Sequence, residues 1–228
     1  EVAGDRSWAL GQVKAEIQAA TGIPPREQRL SFGATQLANE DSLPLLEALP
    51  FARGRLELTL LRMDPTKAEW LERVDCPREA WTLRKAPPAM LEDRDVVLTA
   101  VRWAGPMLQY ASDTLRSDRG VVFTAVESSG QALQFATSDL RADRAVVLAA
   151  VKSYGNALEF ASEELRGDRE VVRAAVDAHA QAIQFASPEL RADRTVALWA
   201  LRRDSGAFQY VSQDLWADPE VRRFACMG

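Results

Sequence analysis

His179 is the only histidine in the chain, and Cys76 and Cys226 are its only cysteines. A zinc site needs three or four such ligands at close spacing, and this set cannot supply them. His179 ends a segment whose sister copies carry Ala104, Ser129, Tyr154 and Asp204 in its place. So variable a position is most simply solvent-facing. Cys226 fills a column otherwise held by Val or Leu and reads as a small core residue, while Cys76 precedes Pro77. Gly-rich phosphate loops, nucleophile elbows and paired carboxylates are all missing from the sequence. The residues therefore argue against an enzyme and point to no cofactor and no metal.

The carboxylates do have an order, and it is structural. Asp93, Asp118, Asp143, Asp168, Asp193 and Asp218 follow one another at intervals of 25 residues, and the first five precede an Arg. One supersecondary unit is thus copied in tandem, which predicts an all-α solenoid that presents a surface. In the third copy the unit contains Val146, Val147, Ala150, Val151, Gly155, Ala157, Leu158, Phe160, Ala161, Leu165 and Arg166. Spacings of three and four put Val147, Ala150 and Val151 on one helical face. Asp143 fits an N-cap, where a carboxylate takes orphan amides at the positive end of the helix dipole. Gly105, Gly130 and Gly155 fall where that helix should stop and a left-handed residue is wanted. A second, shorter helix then follows, so the expectation is two antiparallel helices per unit. The column Ala100, Ala125, Ala150, Ala175, Ala200 and Ala225 suits close helix crossings.

Two polar columns repeat as well. Gln109, Gln134, Gln184 and Gln209 share one, interrupted by Glu159; Arg116, Arg141, Arg166 and Arg191 share another. Either they grip a partner, or they align neighbouring units through side-chain hydrogen bonds and Asp–Arg pairs. Such exposed pairs contribute only about 0–1 kcal/mol each. Other residues break the pattern. Trp199 and Phe224 stand in a column of Thr and Ala, Trp216 replaces the column Arg, Pro219 replaces the Arg after Asp218, and Trp103 is a lone aromatic in a variable column. Trp199, Trp216, Phe224 and Trp103 are the candidate protein-interface residues, because aromatics are enriched at interface anchors. The other reading of the three C-terminal ones is a terminal cap.

Composition sets outer limits. Hydrophobic residues make up 47% and charged residues 27%, an ordinary balance for a folded chain. The net charge of −5 is spread over both halves, which speaks against a nucleic-acid partner needing a basic face. No apolar run approaches the roughly 20 residues of a membrane span. The chain opens on Glu1 without a signal-peptide pattern, and two isolated cysteines make no disulfide framework. A reducing compartment, cytoplasm or organelle stroma, is expected.

Residues 10–63 follow a different grammar. Val13-Lys14-Ala15-Glu16-Ile17-Gln18 reads as an amphipathic helix closed by Gly22. Ile23-Pro24-Pro25 is a rigid turn, and Gln28-Arg29-Leu30-Ser31-Phe32 a short strand. Leu56-Glu57-Leu58-Thr59-Leu60 alternates as a half-buried strand should. With Gln36-Leu37, these segments resemble ubiquitin over residues 8–63 and imply a β-grasp head of class α+β. Its expected core is Leu10, Val13, Ile17, Leu30, Leu43, Leu56, Leu58 and Leu60. Ser31 and Thr59 stand where that family has apolar recognition residues, which weakens an adaptor role in ubiquitin or proteasome pathways. Asp64-Pro65 follows Met63 with no diglycine tail, which argues against conjugation as a modifier. The head is also partial, since only about nine residues precede the helix where the family has a β-hairpin. The strand at 56–60 then needs a partner, either upstream residues outside the given sequence or a strand from another chain.

Residues 80–228, with their capping Asp, Val-Val, Ala-Val, Gly-Asn-Ala-Leu and Phe-Ala-Ser-Glu-Glu-Leu segments in register, resemble the helical repeats of the domain of unknown function 4116 family. Ubiquitin-like segments joined to such repeats look like proteins of single-celled algae. The expected organisation is a head at 1–63, a helical linker or half repeat at 64–90, and a repeat array at 91–228. The expected function is a non-catalytic interaction scaffold or structural subunit whose partners are other protein chains. An accessory subunit of an algal organellar complex, photosynthetic included, and a ubiquitin-pathway adaptor are the alternatives.

Overall fold

The computed structural model describes residues 8–32, 35–37 and 58–225. The chain forms two compact units, residues 1–72 and 73–228.

In the first unit, helix α1 (Leu10–Thr21) ends at Gly22, whose φ of 74° is the left-handed conformation a glycine adopts without strain. Strand β1 (Gln28–Phe32) lies between β2 (Thr35–Gln36) and β3 (Thr59–Arg62), and both pairings are antiparallel. Leu10, Val13 and Ile17 of α1 share a core with Leu30 and Leu37, and Trp8, Phe32, Leu58 and Leu60 pack against it. This is the expected helix-on-sheet core; Leu43 and Leu56 lie outside the described residues. The strand continues past Leu60 to Arg62, and among the described residues β3 is at the sheet edge. Gln28 is fully buried, and its amide donates to the carbonyls of Lys14 at 2.9 Å and Ile23 at 2.8 Å. One side chain thus satisfies two carbonyls at the end of α1, where unpaired acceptors would otherwise cost free energy.

In the second unit each copy has three helical pieces, not the two expected. The third copy shows a ten-residue α-helix (Arg144–Ser153), a six-residue 3-10 helix (Gly155–Phe160) and a four-residue α-helical turn (Glu163–Arg166). Val146, Val147, Ala150 and Val151 are wholly buried; each buried Val contributes roughly 1.5–3 kcal/mol. The 3-10 piece has a reason in its spacing. At three residues per turn Gly155, Leu158 and Ala161 stack on one side, and all three are buried. Tertiary packing thus overrides the α-helix propensity of Ala157-Leu158-Glu159. Neighbouring copies are also joined through the backbone. The amides of Ser112, Thr137, Ser162, Ser187 and Ser212 donate to the carbonyls of Leu91, Arg116, Arg141, Arg166 and Arg191, at 2.9–3.3 Å. The 25-residue period also continues upstream. The 3-10 helix Ala80–Lys85 and the turn Pro88–Leu91 precede Gly105–Tyr110 and Asp113–Arg116 by one repeat.

The repeated glycines do not end the long helices in a left-handed conformation; among the described residues only Gly22 has positive φ. The helix-ending residue is the one before, for example Tyr154 at φ −149° and ψ 103°. Close approach is what requires glycine there. A Cβ on Gly155 would lie 2.5 Å from the carbonyl oxygen of Ala175 in the next copy, and 2.8 Å from the Cβ of His179. Gly105 and Gly130 abut the carbonyls of Ala125 and Ala150 more tightly still. The wholly buried Ala column and the Gly column are thus two sides of one contact. The array ends differ: Ala80, Ala180 and Ser205 stand in the glycine column. A methyl at 180 requires a wider approach, and Trp199 lies at that same junction.

Candidate functional site

The most regular polar feature of the array is a ladder of ion pairs. Arg94 meets Asp118, Arg119 meets Asp143, and Arg194 meets Asp218, each at 2.8 Å; Arg144 meets Asp168 at 3.1 Å, and Arg169 meets Asp193. Each Asp divides its two oxygens. In Asp143, Oδ1 accepts the amides of Ala145 and Val146 while Oδ2 accepts from Arg119 of the preceding copy. Arg94 and Arg119 hold the carboxyls of Asp118 and Asp143 below the usual range. Burial works against ionisation at Asp168 and Asp193, but their first-turn amides and the neighbouring guanidinium outweigh it, so these carboxyls are lowered too. The ladder uses the Arg that follows each Asp. The expected pairing through Arg116, Arg141, Arg166 and Arg191 is not found, because their short turns hold them away from the capping carboxylates. Arg116 pairs with Asp113 within its own turn. In Arg141, Arg166 and Arg191 the Nε is buried and has no hydrogen-bond partner among the described residues. The Gln column does not link copies either: Gln134 and Gln209 donate back to Gln131 and Gly206 of their own 3-10 helices. Glu220 receives both Arg194 and Arg202, and Pro219 offers no further guanidinium.

The pattern-breaking aromatics each have a separate setting. Trp199 is half-buried, with the Arg173 guanidinium 3.9 Å from its ring centroid, a cation–π contact. Trp216 stacks on Phe208, ring centroids 5.3 Å apart, yet stays 39% exposed. Phe224 is half-buried on the helix Pro219–Ala225. Among the described residues no ring contact joins these three. Trp103 is 46% exposed, and its indole N–H donates to Asp75 at 3.3 Å. His179 is exposed and sits edge-on to Tyr154 of the preceding copy, centroids 6.0 Å apart. Cys226 lies outside the described residues. Sequence reasoning missed Trp81, 48% exposed on the 3-10 helix Ala80–Lys85. Carrying the period below residue 91 would have found it, since its column continues as Pro106, Gln131, Asn156, Gln181 and Gly206. On the head, Ser31 and Thr59 face each other across β1 and β3, next to Arg29 and Leu61.

No helix among the described residues is long and apolar enough to cross a membrane. No curated protein and no solved structure matches the chain. Residues 1–48 match the ubiquitin family, which agrees with the helix-on-sheet core. The family described as Domain of unknown function (DUF4116) matches four times, at residues 93–141, 118–166, 143–191 and 168–216, each match starting at a capping Asp. Together these cover more than half of the 228 residues, so the chain belongs to the DUF4116 family, as an all-α solenoid behind a ubiquitin-like head.

Proposed function

We propose that this protein is a non-catalytic interaction scaffold, a structural or adaptor subunit that binds other protein chains through its repeat array. A ubiquitin-like domain joined to helical repeats is a protein-interaction arrangement. The observation that carries the proposal is where the large apolar side chains are. The uniform columns are consumed by packing between copies, whereas Trp81, Trp103 and Trp216 are exposed at positions where the copies differ. One such anchor can contribute 2 kcal/mol or more to an interface. The C-terminal end, with Trp199, Trp216 and Phe224, is the proposed docking end.

Affinity purification of the tagged full chain with quantitative mass spectrometry tests this. Reproducible co-purification of a defined set of proteins, lost in a Trp103→Ala/Trp216→Ala variant, supports it. Recovery of the chain alone counts against it. The identities recovered also separate an organellar complex from a proteasome-linked adaptor. Trp199→Ala, the residue type of sister copies at 149 and 174, should leave the fold nearly intact and reduce partner recovery about tenfold, equivalent to about 1.4 kcal/mol. Unfolding of the last repeat with binding intact in the folded fraction would assign Trp199 to the cap instead.

A further inference from the structure

Arg191 differs from its column mates in what surrounds it. In the first copy, Arg116 is neutralised by Asp113, three residues earlier on the same turn. At Arg191 that earlier position is Pro188, and no ion pair joins Arg191 to any described residue. The nearby acids are engaged elsewhere. Glu189 is held by the Ser187 hydroxyl, and Asp214 accepts from the Ser212 hydroxyl at 3.2 Å. The next member of the column is Trp216 in place of Arg, so no second guanidinium follows. Instead an indole, backed by Phe208, walls a groove of about 360 Å³. Arg191, Gln209, Tyr210, Gln213 and Trp216 line it.

From this geometry we infer that the groove binds an acidic peptide segment of a partner protein, a carboxylate side chain next to an apolar one. The uncompensated guanidinium selects the carboxylate, since charge-assisted hydrogen bonds are about twice as strong as neutral ones. The exposed indole face takes the apolar neighbour. The primary amides of Gln209 and Gln213 offer both donor and acceptor to a peptide backbone. The volume suits one or two side chains, and net charge complementarity favours an anionic occupant. This inference rests on the proposed scaffold role and names the chemistry of one partner.

The test uses the full chain and two dye-labelled octapeptides, Gly-Ser-Asp-Glu-Leu-Phe-Gly-Ser and its Asn-Gln isostere, read by fluorescence anisotropy. The acidic peptide should bind at least about tenfold more tightly than the isostere. Arg191→Gln and Trp216→Arg, which restores the column residue, should each weaken it by about tenfold, and Arg166→Gln should not. Should Trp216→Arg unfold the last copy, as circular dichroism would show, the solvent-exposed Arg191→Gln change decides alone. Equal binding of the two peptides, no binding at about 1 mM, or unchanged binding by Arg191→Gln overturns the inference. So does full displacement by about 10 mM inorganic phosphate, which would mark a general anion site. If the groove fails while the tagged chain still recovers partners through Trp103, the scaffold reading stands and only this site is wrong. If partner recovery fails as well, both fall.

Discussion

Gly155→Ala should destabilise the array by about 2–3 kcal/mol, although in an ordinary helix the same change stabilises by roughly 0.5–1 kcal/mol. The added methyl would lie 2.5 Å from the Ala175 carbonyl, 2.8 Å from the His179 Cβ and 2.9 Å from the His179 amide. Two of these are backbone atoms on a packed helix, so no flexible side-chain tip can yield. Relief requires the copies on either side to part. Parting them uncovers Val171, Val172 and Ala175, all wholly buried, and a repeat array is stabilised by such nearest-neighbour interfaces. Urea unfolding followed by circular dichroism should show the loss, and hydrogen exchange should quicken first in the helix Arg169–Ala178. Gly130→Ala should behave alike, because its Cβ would run into the Ala150 carbonyl. Wild-type or higher stability for both variants would mean that the glycine column is not a close-approach device.

That contact also marks how far the sequence could be read. The period, the capping Asp column and the buried Val and Ala columns were legible because each is a local pattern, set by the 3.6-residue turn and by end chemistry. The head core was legible for a similar reason: Leu10, Val13, Ile17 and Leu30 alternate at helix and strand spacing. Gly155 was misread because its role lies 20 residues away, in a carbonyl of the next copy. The 3-10 piece was misread because Ala157-Leu158-Glu159 favours an α-helix locally, and only packing of the Gly155, Leu158 and Ala161 face decides otherwise. Each unit offers two arginines at similar distance from the Asp column, and only the backbone selects the one after the Asp. The groove at Arg191 and Trp216 depends on two copies at once, so no single unit reveals it.

Asp143→Ala should lower stability by about 2 kcal/mol, summing an N-cap of about 1 kcal/mol and an exposed ion pair of at most about 1 kcal/mol. Asp143→Asn should cost about half as much, because its Oδ1 can still accept the amides of Ala145 and Val146 while the charge that holds Arg119 is gone. Arg119→Gln in the Asn background should then add little, which a double-mutant cycle reads directly. The same carboxylates set the acid limit of the array. Asp118, Asp143, Asp168, Asp193 and Asp218 all have lowered pKa values. A carboxyl lowered in the folded state contributes stability that is present above its unfolded value, near about 3.9, and is lost as pH falls through the folded value. Stability should therefore be flat above about pH 5 and fall steadily below about pH 4, as five cross-copy links lose their charge together. Thermal melts between those pH values should show the drop, and in Asp143→Ala the slope of stability against pH should be shallower. Salt should act in the same direction but weakly, because the Arg partners are half-exposed and already screened. An acid limb of unchanged slope in Asp143→Ala would assign this carboxylate to capping alone and leave the copies held by their apolar columns.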